Sequence, residues 1–105
     1  MQAIELISLR LHNSKDGPLV ESTLEKIILL QSVGKTPPVH FELFQNPVIP
    51  NDWLVLVQRS AGCATVDKSI PAASLAESFR PLGRTHHAVW VSVQSRTQTP
   101  VAQGG

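Results

Sequence analysis

The sequence of 105 residues contains little of what would point to a membrane, a secreted or a disulfide-stabilised protein. Its single cysteine, Cys63, excludes an internal disulfide and favours a reducing compartment. No apolar run approaches the roughly 20 residues that cross a bilayer. The N-terminus lacks the basic start, apolar stretch and cleavage site of a signal peptide. We therefore expect a cytoplasmic protein without a membrane partner.

Charged residues and glycines are also few. Charged residues make up 16% of the chain, the net charge is +1, and no basic run occurs, so nucleic acid is not an expected partner. The isolated Gly34, Gly62 and Gly83 exclude a glycine-rich phosphate loop. No cluster of His and Cys has the ligand count of a zinc site, and we expect neither a metal nor another cofactor.

The chain does contain a half-repeat. Gly34-Lys35-Thr36 and Gly83-Arg84-Thr85 each follow a helix-like stretch and precede a strand-like run. Periodicity predicts two helices, one over Pro18–Val33 and a shorter one that Ser69 caps and that ends near Phe79. The predicted strands alternate in hydrophobicity and cover Ala3–Leu11, Val39–Phe44, Trp53–Gln58 and His86–Val93.

This order gives a fold class. A β-α-β unit that occurs twice predicts an α+β, ferredoxin-like βαββαβ sandwich with an antiparallel four-stranded sheet. We expect one domain over residues 1–95 and a mobile tail over residues 96–105, which shows no periodicity.

Several predicted strands carry apolar residues on both faces. In the third strand, Leu54 and Leu56 alternate with Trp53, Val55 and Val57. Two helices cover only one face of such a sheet, and the other would leave a larger apolar patch than monomers usually expose. A second copy of the same sheet is the simplest cover, so we expect a homodimer formed through the sheet face.

The predicted central hairpin carries a family resemblance. The segments His40–Pro47 and Pro50–Val57 join an alternating strand, a loop with Pro, Asn and Asp, and an apolar strand. This arrangement resembles the hairpin of antibiotic-biosynthesis-monooxygenase-type domains in the dimeric α+β barrel superfamily. The resemblance implies a dimeric α+β barrel. It also implies a cofactor-independent oxygenase, in which the protein supplies an apolar chamber and a base such as His40 or His86.

Alternation predicts a candidate pocket on the helix-free face of the sheet. Its residues would come from three strands: His40, Glu42, Trp53, His86 and Trp90. In the alternative interpretation these polar groups lie at the rim or hydrogen-bond across the dimer interface. Cys63 is interpreted as an unreactive loop thiol, since no base or helix N-terminus lies next to it in the sequence.

Three functions remain open from the sequence. The first is a homodimeric barrel that binds a small apolar or aromatic molecule between the sheet and the partner subunit. The second is a cofactor-independent monooxygenase-like enzyme. The third is a structural or interaction protein without a ligand, whose sheet face is filled by the partner.

Overall fold

The computed structural model describes residues 3–32, 39–59 and 67–98, and its elements follow the order β-α-β-β-α-β. The predicted fold class is confirmed. The elements are β1 (Ala3–Leu11), α1 (Gly17–Ser32), β2 (Val39–Gln45), β3 (Asp52–Arg59), α2 (Ile70–Phe79) and β4 (Gly83–Val91), with a short 3₁₀ helix at Ser14–Asp16.

The four strands form one antiparallel sheet in the order β2-β3-β1-β4. The central strand β1 pairs with β3 on one side and with β4 on the other. Both helices pack on the same face of the sheet, and the core lies between these two layers. Its buried side chains are Ile7, Leu9, Leu11, Val20, Leu24, Ile27, Trp53, Val55, Val57, Ala72, Leu75, Ala76 and Phe79.

Local sequence explains where the helices begin. Gly17 already has helical backbone angles, and Pro18 follows it in the first turn, where its missing N–H costs no hydrogen bond. Ser69 is the N-cap of α2, as the sequence predicts, and its hydroxyl accepts a hydrogen bond from the backbone N–H of Ala72.

The last strand differs from its prediction. It begins at Gly83, three residues before the predicted His86, and it ends at Val91 instead of Val93. Gly83 is therefore a strand residue that pairs with Leu11. A Cβ atom there would lie 2.7 Å from the carbonyl carbon of Arg10, so the close approach of β1 requires glycine. The first copy of the half-repeat, Gly34-Lys35-Thr36, lies outside the described residues.

The cross-strand register defines the face of the sheet that the helices do not cover, called here the helix-free face. Leu6 pairs with Leu56 on one side and with Ala88 on the other, so these three side chains share it. The residues of this face are Ile4, Leu6, Ser8, Arg10, His40, Glu42, Phe44, Asp52, Leu54, Leu56, Gln58, Arg84, His86, Ala88 and Trp90.

The predicted orientation of the β3 side chains is wrong. Alternation places Trp53, Val55 and Val57 on the helix-free face, whereas in the structure all three lie in the core beneath the helices. Val55 pairs with Ile7, which belongs to the same core. Both alternating sets of β3 are apolar, and a one-residue difference in register exchanges the two faces. Leu54 and Leu56 consequently take the helix-free positions.

Candidate functional site

Four of the five predicted pocket residues lie on the helix-free face, but at opposite edges of the sheet. His40 and Glu42 are on the edge strand β2, whereas His86 and Trp90 are on the other edge strand, β4. Three strand spacings of about 4.8 Å separate these edges by roughly 14 Å. Trp53 faces the helices, and a carbon of its ring would lie 3.7 Å from a Cβ placed on Gly17. One subunit alone therefore does not bring the five side chains together.

A concavity of about 280 Å³ lies where β3 and β4 begin and β1 approaches its end. Two of the five predicted pocket residues, Trp53 and His86, contribute to its wall. Its lining residues are Ser8, Leu9, Arg10, Asp52, Trp53, Leu54, Arg84 and His86.

The charged groups of this concavity are arranged in adjacent cross-strand pairs. Arg10 lies directly opposite Arg84, and Ser8 lies directly opposite His86. Asp52 is opposite Arg10 on the other side, and the two form a two-pronged ion pair with Nε–Oδ1 at 2.6 Å and Nη2–Oδ2 at 2.8 Å. The hydrogen bond from Arg10 holds the pKa of Asp52 below its ordinary value of 3.8.

A second polar cluster is buried on the helix side of the sheet, around Glu5. The Glu5 carboxylate is 0% exposed. Its Oε1 lies 2.8 Å from Nε2 of His87 and accepts a 2.9 Å hydrogen bond from the backbone N–H of Ser69. Its Oε2 accepts a 2.5 Å hydrogen bond from the Ser69 hydroxyl and lies 3.3 Å from Nε of Arg59.

This Glu5 cluster connects four elements. Glu5 pairs with Val57 of β3 and Val89 of β4, so Arg59 and His87, each two residues along, are its diagonal neighbours. The backbone N–H and the hydroxyl of Ser69, the N-cap of α2, both donate to the carboxylate, so the positive end of the helix dipole lies beside it. The guanidinium of Arg59 also donates to the backbone carbonyl of Asp67.

The chemistry of the Glu5 cluster is that of an oriented imidazole. The Glu5 carboxylate fixes the orientation of the His87 ring, but this side chain is 4% exposed on the helix side of the sheet and does not reach the concavity. Sequence reasoning did not single out Glu5. A signal was present, because Glu5 shares its strand face with Ile7, Leu9 and Leu11 and is the charged member of that row.

Within residues 3–32, 39–59 and 67–98, no three His, Cys, Asp or Glu side chains are grouped as metal ligands. No helix in those ranges is long and apolar enough to span a membrane. Cys63 lies outside the described residues, so its role as a loop thiol stays a prediction.

The comparisons with known proteins find similar structures but no similar sequence. No family model and no curated protein matches the chain. A crystal structure of a variant of SnoaB, a cofactor-independent oxygenase from Streptomyces nogalater, is similar with a TM-score of 0.65 and 11% identity. That match covers 92% of this chain and 98% of the other.

Two further structures agree with this result. Rv0793 from Mycobacterium tuberculosis matches with a TM-score of 0.57 and 12% identity, over 90% of this chain and 99% of the other. An antibiotic biosynthesis monooxygenase matches with a TM-score of 0.53 and 11% identity, over 87% and 99%. The chain therefore has the ferredoxin-like fold that these antibiotic-biosynthesis-monooxygenase-like structures share.

Proposed function

We propose that the protein forms a homodimer through its helix-free face and binds a small apolar or aromatic molecule between that sheet and the partner subunit. The observation that carries this proposal is the composition of the face. Trp90 is 58% exposed, Phe44 43% and Leu54 36%, and they lie on one surface with the concavity at its end.

The energetics favour a cover on this face. At about 25 cal/mol per Å², covering roughly 400 Å² of apolar surface stabilises an assembly by about 10 kcal/mol before the cost of association. A second copy supplies an apolar sheet of the same shape, since a two-fold interface uses the same patch on both subunits. Two facing sheets would also close the concavity, which is open in the single chain.

Native mass spectrometry of the purified protein tests this proposal. We expect the mass of a dimer together with a small molecule that is released and identified after denaturation. A monomer would contradict the dimer. A dimer without a bound molecule that also fails to bind added naphthalene derivatives would contradict ligand binding and favour the third function, a sheet face filled entirely by the partner.

A second candidate function is a cofactor-independent monooxygenase-like enzyme, and the position of His86 on the wall of the concavity favours it. One of the structures with this fold is a cofactor-independent oxygenase. In such a reaction the electron-rich ring of the substrate activates oxygen after a base removes its proton. His86 is the better placed base, because it lines the concavity on the helix-free face, whereas His40 lies on the opposite edge strand and His87 is buried on the helix side.

Oxygen uptake with quinol-like substrates tests the enzyme candidate. We expect His86→Gln to abolish uptake and His40→Gln to retain it, since His86 lines the concavity and His40 lies on the opposite edge strand. Thermal unfolding of both variants separates loss of the base from loss of the fold. Absence of uptake by the unmodified protein, or uptake that His86→Gln leaves unchanged, would contradict this candidate.

A further inference from the structure

We infer that the concavity at Arg84 is an anion subsite, and that the ligand of the helix-free face is a small organic acid. Its carboxylate would pair with Arg84, and its apolar part would lie along the sheet beside Leu54. This inference rests on the proposed function and specifies the chemistry of the ligand.

The charge arrangement is the first argument. Two guanidinium groups, of Arg10 and Arg84, occupy directly opposite positions on β1 and β4, where like charges repel. Asp52 gives both of its oxygens to Arg10. Among the residues that the structure describes, no ion pair reaches Arg84. The concavity therefore carries one guanidinium charge more than its own carboxylate neutralises.

When a partner covers the face, this excess positive charge favours the binding of an anion. A partner subunit over the helix-free face would remove Arg84 from water, and the burial of an unpaired guanidinium is strongly unfavourable. A bound carboxylate removes this cost. The planar guanidinium donates two parallel hydrogen bonds to a carboxylate, a geometry that favours this anion over a neutral group of equal size.

The surroundings fit an acid with an apolar body. Ser8 and His86, directly opposite each other next to the arginine pair, add a hydroxyl and an imidazole as further hydrogen-bond partners. Leu54 lines the same concavity, and Leu6, Ala88 and Trp90 continue the surface along the sheet. A volume of about 280 Å³, before a partner encloses it, is near the lower end for small-molecule sites.

The experiment compares two probes of nearly equal shape, 1-naphthoate and the neutral 1-naphthamide, by calorimetric titration of the dimer. We expect naphthoate to bind at least about tenfold more tightly, as charge-assisted hydrogen bonds do. Arg84→Gln should remove this difference, Arg84→Lys should retain part of it, and the control Arg80→Gln should leave it unchanged. Amide NMR shifts should move at Ser8, Arg84 and His86 when naphthoate binds.

The outcomes separate this inference from the proposed function. Equal binding of both probes, unaffected by Arg84→Gln, would overturn the anion subsite and leave small-molecule binding intact. A dimer that binds neither probe would overturn both. If Arg84→Gln dissociates the dimer, the guanidinium pairs with the partner subunit, which would also overturn the anion subsite.

Discussion

At the scale of single residues, we expect substitution of Glu5 to lower the free energy of unfolding the most. Glu5 is a fully buried carboxylate whose contacts come from β3, β4 and the N-terminus of α2. Burying a charge is costly unless its partners compensate it, and removing one partner leaves the others uncompensated. The cluster thus fixes how the helix layer sits on the sheet.

We expect Glu5→Ala to lower the free energy of unfolding by about 3–5 kcal/mol, because Arg59 and the N-cap of α2 lose their anion. Urea denaturation measures this change. The control is Glu77→Ala, which breaks the exposed Glu77–Arg80 pair and should cost less than about 1 kcal/mol. Similar costs for the two variants would contradict the account of the Glu5 cluster.

The Arg10–Asp52 pair makes stability depend on pH at the acidic end. The pKa of Asp52 is lower in the folded protein than its ordinary value of 3.8, so the pair stabilises the fold above that value. This contribution is lost as the pH falls through the folded pKa.

Carbon-detected NMR titration of Asp52 checks this prediction. Arg10→Gln should raise the pKa of Asp52, because it removes the hydrogen bond that lowers it. Arg80→Gln, which removes a guanidinium on the α2 side of the fold, should not change it. An unchanged pKa in Arg10→Gln would contradict the geometry of the pair.

At the scale of elements, the pairing of β1 with β4 depends on Gly83. A side chain there meets the backbone of Arg10, and backbone cannot move aside as a flexible side chain can. We expect Gly83→Ala to destabilise the protein by about 1–3 kcal/mol in urea denaturation.

The matched control is Gly17→Ala. Gly17 has helical backbone angles, and its added Cβ would only touch Trp53 at ordinary contact distance. Reduced freedom of the unfolded chain should make this variant about 0.4–1 kcal/mol more stable. Tolerance of alanine at Gly83 would contradict the close approach of the two strands, and so would equal effects at both glycines.

Element positions were largely predictable because local signals define them. β1 has the predicted bounds, and Pro18 and Ser69 indicated the helix starts to within one residue. The face of β3 was not predictable, since Leu54 and Leu56 are as apolar as Val55 and Val57. The register of β3 against β1 decides which of the two sets faces the helices. This pairing joins residues more than 40 positions apart in the sequence.

The same physical reason limited prediction of the site. Glu5 meets Ser69 and His87 across 64 and 82 positions, and no local pattern joins residues so far apart. His86 and His87 lie on opposite faces of the sheet, as alternation along one strand requires, and that pattern is local. The four predicted pocket residues on the helix-free face lie at two edges, since alternation does not specify strand order.

At the scale of the whole molecule, the helices bury one side of the sheet and leave an apolar side open. Leu6 lies near the middle of that open side, on the central strand β1, between Leu56 and Ala88. The central claim is that a second copy covers it, and that the space between the sheets holds a ligand.

Light scattering of the purified protein and two variants tests this claim most directly. We predict twice the 11.4 kDa chain mass at micromolar concentration for the unmodified protein. Leu6→Asp should give the monomer mass, because the dimer would bury an unpaired carboxylate between Leu56 and Ala88. Val48→Asp, in the hairpin loop and 83% exposed, should remain a dimer. A monomer mass for the unmodified protein, or a dimer that Leu6→Asp leaves intact, would contradict the account.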